Sequence, residues 1–305
     1  MNKFLAVGTV ALDVIESPFG KTDKILGGSA SFIGLAAVQF GIEVGLVSVV
    51  GEDFPQSYLD MIQSKGINTN GIKVVKGGKT FFWEGKYHKD INKRDTLITE
   101  LNVLEHFEPV VPQQFKNAEV VMLGNLQPST QASVLSQMNK RPKLVVLDSM
   151  NYWINNALDS LHKILKKIDV IAVNDQEARQ LSGEYFLVKA AEKIHKMGPS
   201  FVVIKKGEHG SLLFNKGRIF VAPALPLAKV LDPTGAGDAF AGGFCGYLAK
   251  TQNFSFENIK NAVIYGSNLA SFCVESFGTK RMQTLTYKEV QQRLQVFKEL
   301  TKFKL

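Results

Sequence analysis

The chain has 305 residues, 45% of them hydrophobic, with 36 Lys and Arg against 28 Asp and Glu for a formal net charge of +8. Such a length holds one large α/β domain or two smaller ones with a sizeable core, and no segment is apolar over the ~20 residues that a membrane span requires. Two cysteines, Cys245 and Cys273, give no disulfide framework, and the five histidines never pair with cysteines at metal-ligand spacing.

The opening, Met1-Asn2-Lys3-Phe4-Leu5-Ala6-Val7, looks only briefly like a signal peptide. Its apolar run is broken by Gly8 and Thr9, ends at Asp13, and has no clear cleavage site after it. Residues 4–7 read instead as a first buried strand, and a reducing cytoplasm is the expected location. Apolar runs suited to buried parallel strands follow at 44–49, 120–123, 144–147, 170–173 and 201–204. Amphipathic stretches at 56–65, 131–139 and 188–197 lie between them. The expected fold is therefore a doubly wound, mostly parallel α/β sheet with helices on both faces.

Residues 71–102 break the alternation. There Thr80-Phe81-Phe82-Trp83 and Tyr87 sit beside Lys86, His88, Lys89, Lys93 and Arg94, a pattern of extended strands with a charged tip. Gly77-Gly78-Lys79-Thr80 is not a phosphate loop of the Walker type, because Lys73 stands where that motif needs glycine. Thr286-x-x-Glu289 caps a final helix ahead of Val290, Leu294 and Phe297. No repeat, long linker or low-complexity tract divides the chain, so residues 1–305 are expected to form one domain. The lysines are spread out and no nucleic-acid motif appears, so the positive charge suits nucleotides and phosphates better than nucleic acid.

Chemistry concentrates at Asp232-Pro233-Thr234-Gly235-Ala236-Gly237-Asp238, which runs on through Ala239 and Gly242-Gly243-Phe244. Pro233, Gly235 and Gly237 stop regular structure, and the small residues after Asp238 give a slim helix. A glycine turn opening a helix gathers backbone N–H groups and the positive end of the helix dipole, which together bind an anion. A carboxylate placed there would repel phosphate unless it had another task. Accepting a proton from an attacking hydroxyl is such a task for Asp238.

This stretch resembles the second signature of the ribokinase-like (PfkB) family of carbohydrate and nucleoside kinases, Asp-Thr-Thr-Gly-Ala-Gly-Asp before a small-residue helix, with Pro233 replacing the usual Thr. Gly27-Gly28-Ser29-Ala30-Ser31-Phe32, continuing to Gly41, resembles the first signature, Gly-Gly-x-x-x-Asn, but Phe32 falls on the Asn position. The resemblance runs through nearly the whole chain. It implies a kinase that uses ATP and Mg2+, with a small β-sheet lid built from about residues 14–26 and 71–102. Asp238 would be the general base, and the N–H groups of Gly235, Ala236 and Gly237 the anion hole.

On the acceptor side the resemblance implies that Asp13 binds sugar hydroxyls and that Gly27 and Gly28 let the sugar approach the backbone. Gln127 falls near a substrate-contacting position, and Phe32 either packs on the substrate or fills the core. On the nucleotide side, Asn174 and Glu177 match an Asn-x-x-Glu element associated with phosphate and with Mg2+ held through water. Lys205, Gly207 and Gly210 match the loop bordering ATP, and Asn268 lies in the helix bordering adenine. Asp232 and Thr234 match a pair that binds K+ in the family, although Met282 falls where relatives often offer a polar side chain. The expected acceptor is a small sugar. A nucleoside kinase and a catalytically silent sugar- or nucleotide-binding regulator are the alternatives, and Asp238 speaks against the last. The basic lid tip, Arg94 foremost, points to an anionic acceptor such as a sugar phosphate. A homodimer through the lid is also implied.

Overall fold

Strands form where β-branched and aliphatic runs lie between turn residues. The computed structural model describes residues 1–302. In chain order the described strands are β1 (Lys3–Val7), β2 (Ala11–Ser17), β3 (Gly20–Lys21), β4 (Ile25–Gly27), β5 (Glu43–Gly51), β6 (Ile67–Val75), β7 (Phe82–Tyr87), β8 (Arg94–Glu100), β9 (Val120–Leu123), β10 (Leu144–Leu147), β11 (Val170–Asn174), β12 (Phe201–Lys205), β13 (Ser211–Asn215) and β14 (Arg218–Ala222). The helices are α1 (Ser29–Ala37), α2 (Gln56–Ser64), α3 (Pro128–Ser136), α4 (Asn151–Asn156), α5 (Leu158–Leu165), α6 (Asp175–Ser182), α7 (Leu187–Met197), α8 (Ala236–Thr251), α9 (Phe256–Cys273), α10 (Lys280–Thr284) and α11 (Tyr287–Leu300).

Nine strands make the main sheet, in the order β14-β13-β12-β11-β10-β9-β1-β5-β6. It is parallel from β6 to β12, and β13 and β14 are added antiparallel at one edge. Side chains alternate across a strand, so β1 serves two cores. Phe4 and Ala6 share one with Ala36 of α1, Phe240 of α8 and Val263 of α9. Leu5 and Val7 share the other with Val134 of α3, Ile164 of α5 and Ile194 of α7. Helices thus cover both faces, as the apolar strand runs predict.

A separate five-stranded sheet, ordered β3-β2-β7-β8 with β4 also on β2, forms the lid. Its limits differ from those expected. Residues 71–75 belong to β6 and pair with β5 from Val47–Gly71 to Gly51–Val75, so the second lid segment starts at Phe82 and not at 71. The first segment starts at Ala11 and is no mere connector, because β2 pairs directly with β7. Helix α3 also begins earlier than expected, at Pro128, since proline loses no hydrogen bond in a first turn. The Thr286 capping box is present.

Candidate active site

Strand β1 lies between β5 and β9, so the chain winds outward from it in both directions. The crevice outside the carboxyl ends of strands at such a reversal is where open α/β sheets bind ligands. Gly8 follows β1 there, Gly124 follows β9, Asp148 follows β10, and Asn174 and Lys205 end β11 and β12.

The glycine turn opens α8 at this crevice. Gly235 is its N-cap in the left-handed conformation (φ 75°), and Asp238 lies in the first helical turn. A side chain at Gly235 would meet the ring of Phe32 at 2.5 Å. Phe32 is 1% exposed, so its ring fills the core beneath the turn. The turn is held from its other side by Asp232, which is fully buried. Its Oδ1 accepts the Thr234 N–H at 2.8 Å and its Oδ2 accepts the Gly278 N–H at 2.8 Å. Thr234 Oγ1 meets the Tyr87 hydroxyl of the lid at 3.0 Å. These bonds tie Asp232 and Thr234 into the frame of the turn.

Beside the turn four charged groups converge. Lys205 Nζ lies 3.4 and 3.3 Å from the two carboxylate oxygens of Asp148 and 3.2 Å from where a Cβ on Gly237 would be. Burial, then the charges of Asp148 and Glu177, push Asp238 up to about 7 against the pull of Lys205. Burial and Asp148 push Glu177 up to about 7 as well. Burial would lower Lys205, but Asp148, Glu177 and Asp238 hold it above its ordinary value. Three carboxylates against one ammonium leave the negative excess that a divalent cation relieves. Among the described residues no group of three metal-binding side chains stands ready to cage an ion. Mg2+ in general keeps several waters and is held largely by substrate phosphates. Asn174 and Glu177 also form a reciprocal capping box, each bond 2.8 Å, so the same residues start α6.

Asp148 is the site residue that the sequence alone did not single out. A lone Asp after an apolar run has no local pattern, and only the strand order brings it beside Lys205.

Across the crevice, Asp13 is 4% exposed on β2. Burial first, then Asp232, pushes it up to about 7, while a backbone hydrogen bond at Gly28 and the charge of Arg94 oppose. A Cβ on Gly27 would sit 1.8 Å from Asp13 Oδ2, so glycine there makes room for the carboxylate. Gly28 caps α1 at φ 88°. The Arg94 guanidinium lies 5.1 Å over the Trp83 ring, and its charge reaches both Tyr87 and Asp13. Of the other basic residues at the tip, Lys86 pairs with Glu16 at 2.6 Å, His88 with Asp95 at 2.8 Å and Lys93 with Asp90 at 3.6 Å, while Lys89 makes no ion pair among the described residues. Among the basic residues of the tip, Arg94 is thus the one whose charge reaches Asp13.

Four other expected residues complete the comparison with the sequence. Gln127 is exposed at the head of α3. Gln131, one turn on, is buried and donates to Gly124 O and Asp148 O at 2.8 and 3.1 Å. Gly207 and Gly210 form a tight turn (φ 54° and 79°), and the lid reaches it through Asn92, whose amide donates to Glu208 at 3.2 Å. Asn268 is fully buried and donates to Val290 O at 2.8 Å, tying α9 to α11.

The pfkB family carbohydrate kinase model matches residues 3–285. A cytidine kinase of Thermococcus kodakarensis is 30% identical over 250 residues, 80% of this chain and 87% of that protein. A nucleoside kinase of Methanothermobacter thermautotrophicus is 26% identical over 306 residues and 90% of each chain. An E. coli protein assigned as a ribokinase II, solved with ATP and Mg2+, shares the fold at a TM-score of 0.81 and 18% identity, over 97% of this chain and 100% of that one. Among the described residues no helix is long and apolar enough to cross a membrane.

Proposed function

Because the chain belongs to the PfkB family of carbohydrate kinases, we propose that it transfers the γ-phosphoryl group of ATP to a hydroxyl of a small uncharged acceptor carrying a sugar ring. The observation that carries this is the meeting of Asp238 and Lys205 at the glycine turn, a base and a cation beside backbone donors. The acceptor hydroxyl gives its proton to Asp238, its oxygen forms the new bond to phosphorus, and ADP leaves with the electrons of the broken P–O bond. The N–H groups of Gly235, Ala236 and Gly237 stabilise the charge in transfer. Asp13 orients the acceptor by accepting its other hydroxyls, and Gly27 and Gly28 admit the ring against the backbone. Mg2+, when bound, neutralises phosphate charge, and Glu177 would hold it through water.

A nucleoside is favoured over a free sugar by one feature. Trp83, the register partner of Asp13, brings an aromatic ring with the planar Arg94 guanidinium over it to the acceptor side of the lid, a setting suited to an aromatic base. The likeness to a cytidine kinase agrees. ADP release from ATP and Mg2+ with cytidine, other nucleosides, ribose and ribose phosphate decides the matter. Turnover should be highest with a nucleoside and lowest with the phosphate ester, and no turnover with any of them would refute the kinase function.

We also propose a homodimer through the lid. Strand β8 is an edge strand exposed along its length, with Leu97 and Ile98 50% and 41% exposed. Such an edge invites pairing with a second copy.

A further inference from the structure

Lys205 ends β12 and Asp148 follows β10, so their contact spans the end of β11 between them. The two side chains are only 17% and 10% exposed. An ion pair taken out of water contributes little to a fold, so its placement calls for another explanation. The ammonium lies over the backbone of the turn itself, close enough that any side chain at Gly237 would crowd it. Gly237 lies inside α8 without a positive φ, so room for the ammonium is the local reason for glycine there.

We infer that Lys205 is a catalytic residue whose ammonium contacts the phosphoryl group in flight, and that Asp148 is the positioning residue that aims it. This rests on the kinase function proposed above. The phosphoryl group gathers negative charge on its outer oxygens during transfer, and backbone donors meet it from the helix side alone. Lys205 meets it from the sheet side. Asp148 fixes the flexible lysine stem there in advance, so little order is lost when the group arrives. No bond to Lys205 forms or breaks, and its proton stays on nitrogen throughout.

The test compares Lys205→Met, Asp148→Asn and the double variant with the wild type. Lys205→Met should lower kcat by about 10²–10³-fold, the usual cost of removing one preorganised donor. By calorimetry its affinity for ADP should stay within about threefold of wild type, while the tightening of ADP binding by tetrafluoroaluminate and acceptor should vanish, as expected of a contact made only in the transition state. Asp148→Asn should lower kcat by roughly tenfold alone and by almost nothing in the Lys205→Met background, because residues acting as a unit are not additive. If Lys205→Met does not fold, Lys205→Arg keeps the charge, and its broader head should still lower kcat by about tenfold. Wild-type kcat in a folded Lys205 variant, or ADP affinity falling in step with kcat, overturns the role of Lys205. Additive losses overturn the positioning role of Asp148. A wild type that phosphorylates no acceptor overturns the kinase function and this inference with it, an outcome distinct from an active wild type whose variants are indifferent.

Discussion

Asp238 sits among like charges in a buried crevice, and its carboxylate, pushed up to about 7, is divided between two protonation states near neutrality. A general base works only when deprotonated, so kcat/KM should fall as pH drops below about 7 and level off above it; a flat profile from pH 5 to 8 would remove Asp238 from that role. Asp238→Asn should lower turnover by about 10²–10⁴-fold with ADP binding retained. The same substitution should help the fold. A carboxyl whose folded pKa is raised contributes stability at low pH that is lost as pH rises through about 7. At pH 8 the Asn variant should therefore melt higher, on the order of 2 °C, and the gain should shrink toward pH 4; a lower melting temperature at pH 8 would contradict this. At this scale the sequence exposes Asp13, Asp238 and the glycine turn, because turn chemistry is written in adjacent residues. It conceals Asp148, whose partner is far along the chain, and it cannot decide Phe32, whose ring is explained only by the turn it supports.

The helices show why small residues fill both signatures. Helix α8 lies between α1 and α9, and it can do so only because its contact positions lack side chains. A Cβ on Gly242 would fall 2.4 Å from Ile33 O and 2.7 Å from Ala36 Cβ, and one on Gly243 would fall 2.9 Å from Tyr265 O. The slim helix after Asp238 is legible in the sequence, but the helix it presses against is not. Gly242→Val should lower stability by about 1–3 kcal/mol through overpacking and lower kcat as well, because the displaced α8 carries the turn with it. Thermal melts and kinetics on the same preparation test this. A variant that loses stability and keeps full kcat would show that the turn is anchored independently of the α1 contact.

At the scale of the whole molecule, the lid lies down on the body at both halves of the crevice. Ser17 donates to Leu231 O at 2.9 Å, Tyr87 meets Thr234, and Asn92 reaches the Gly207–Gly210 turn. With such contacts on both sides, we expect the lid to exclude water from the transfer when substrates are bound. Amide exchange in residues 88–94 should slow when nucleotide and acceptor are bound together; exchange unchanged by both would count against closure. The exposed β8 edge should pair two lids, so Ile98→Lys should convert a dimer into a folded monomer, as read by light scattering behind size exclusion. A wild type that is monomeric at micromolar concentration would dispose of that interface. The alternating strands foretell the main sheet. They do not foretell that residues 71–75 join its edge, because a strand after a helix gives no sign of which sheet will take it.

The packing of Phe32 on Gly235 has a consequence for how such proteins can diverge. Two motifs some two hundred positions apart in the chain fit together as lock and key, so neither can be exchanged alone. A Phe32→Asn change would bring this chain into line with the first family signature. In this chain it would hollow out the floor beneath the turn, and the altered protein should handle every acceptor more slowly instead of accepting new ones. A change of acceptor is better sought in the lid, whose strand β8 is exposed along its length and packs nothing beneath the turn.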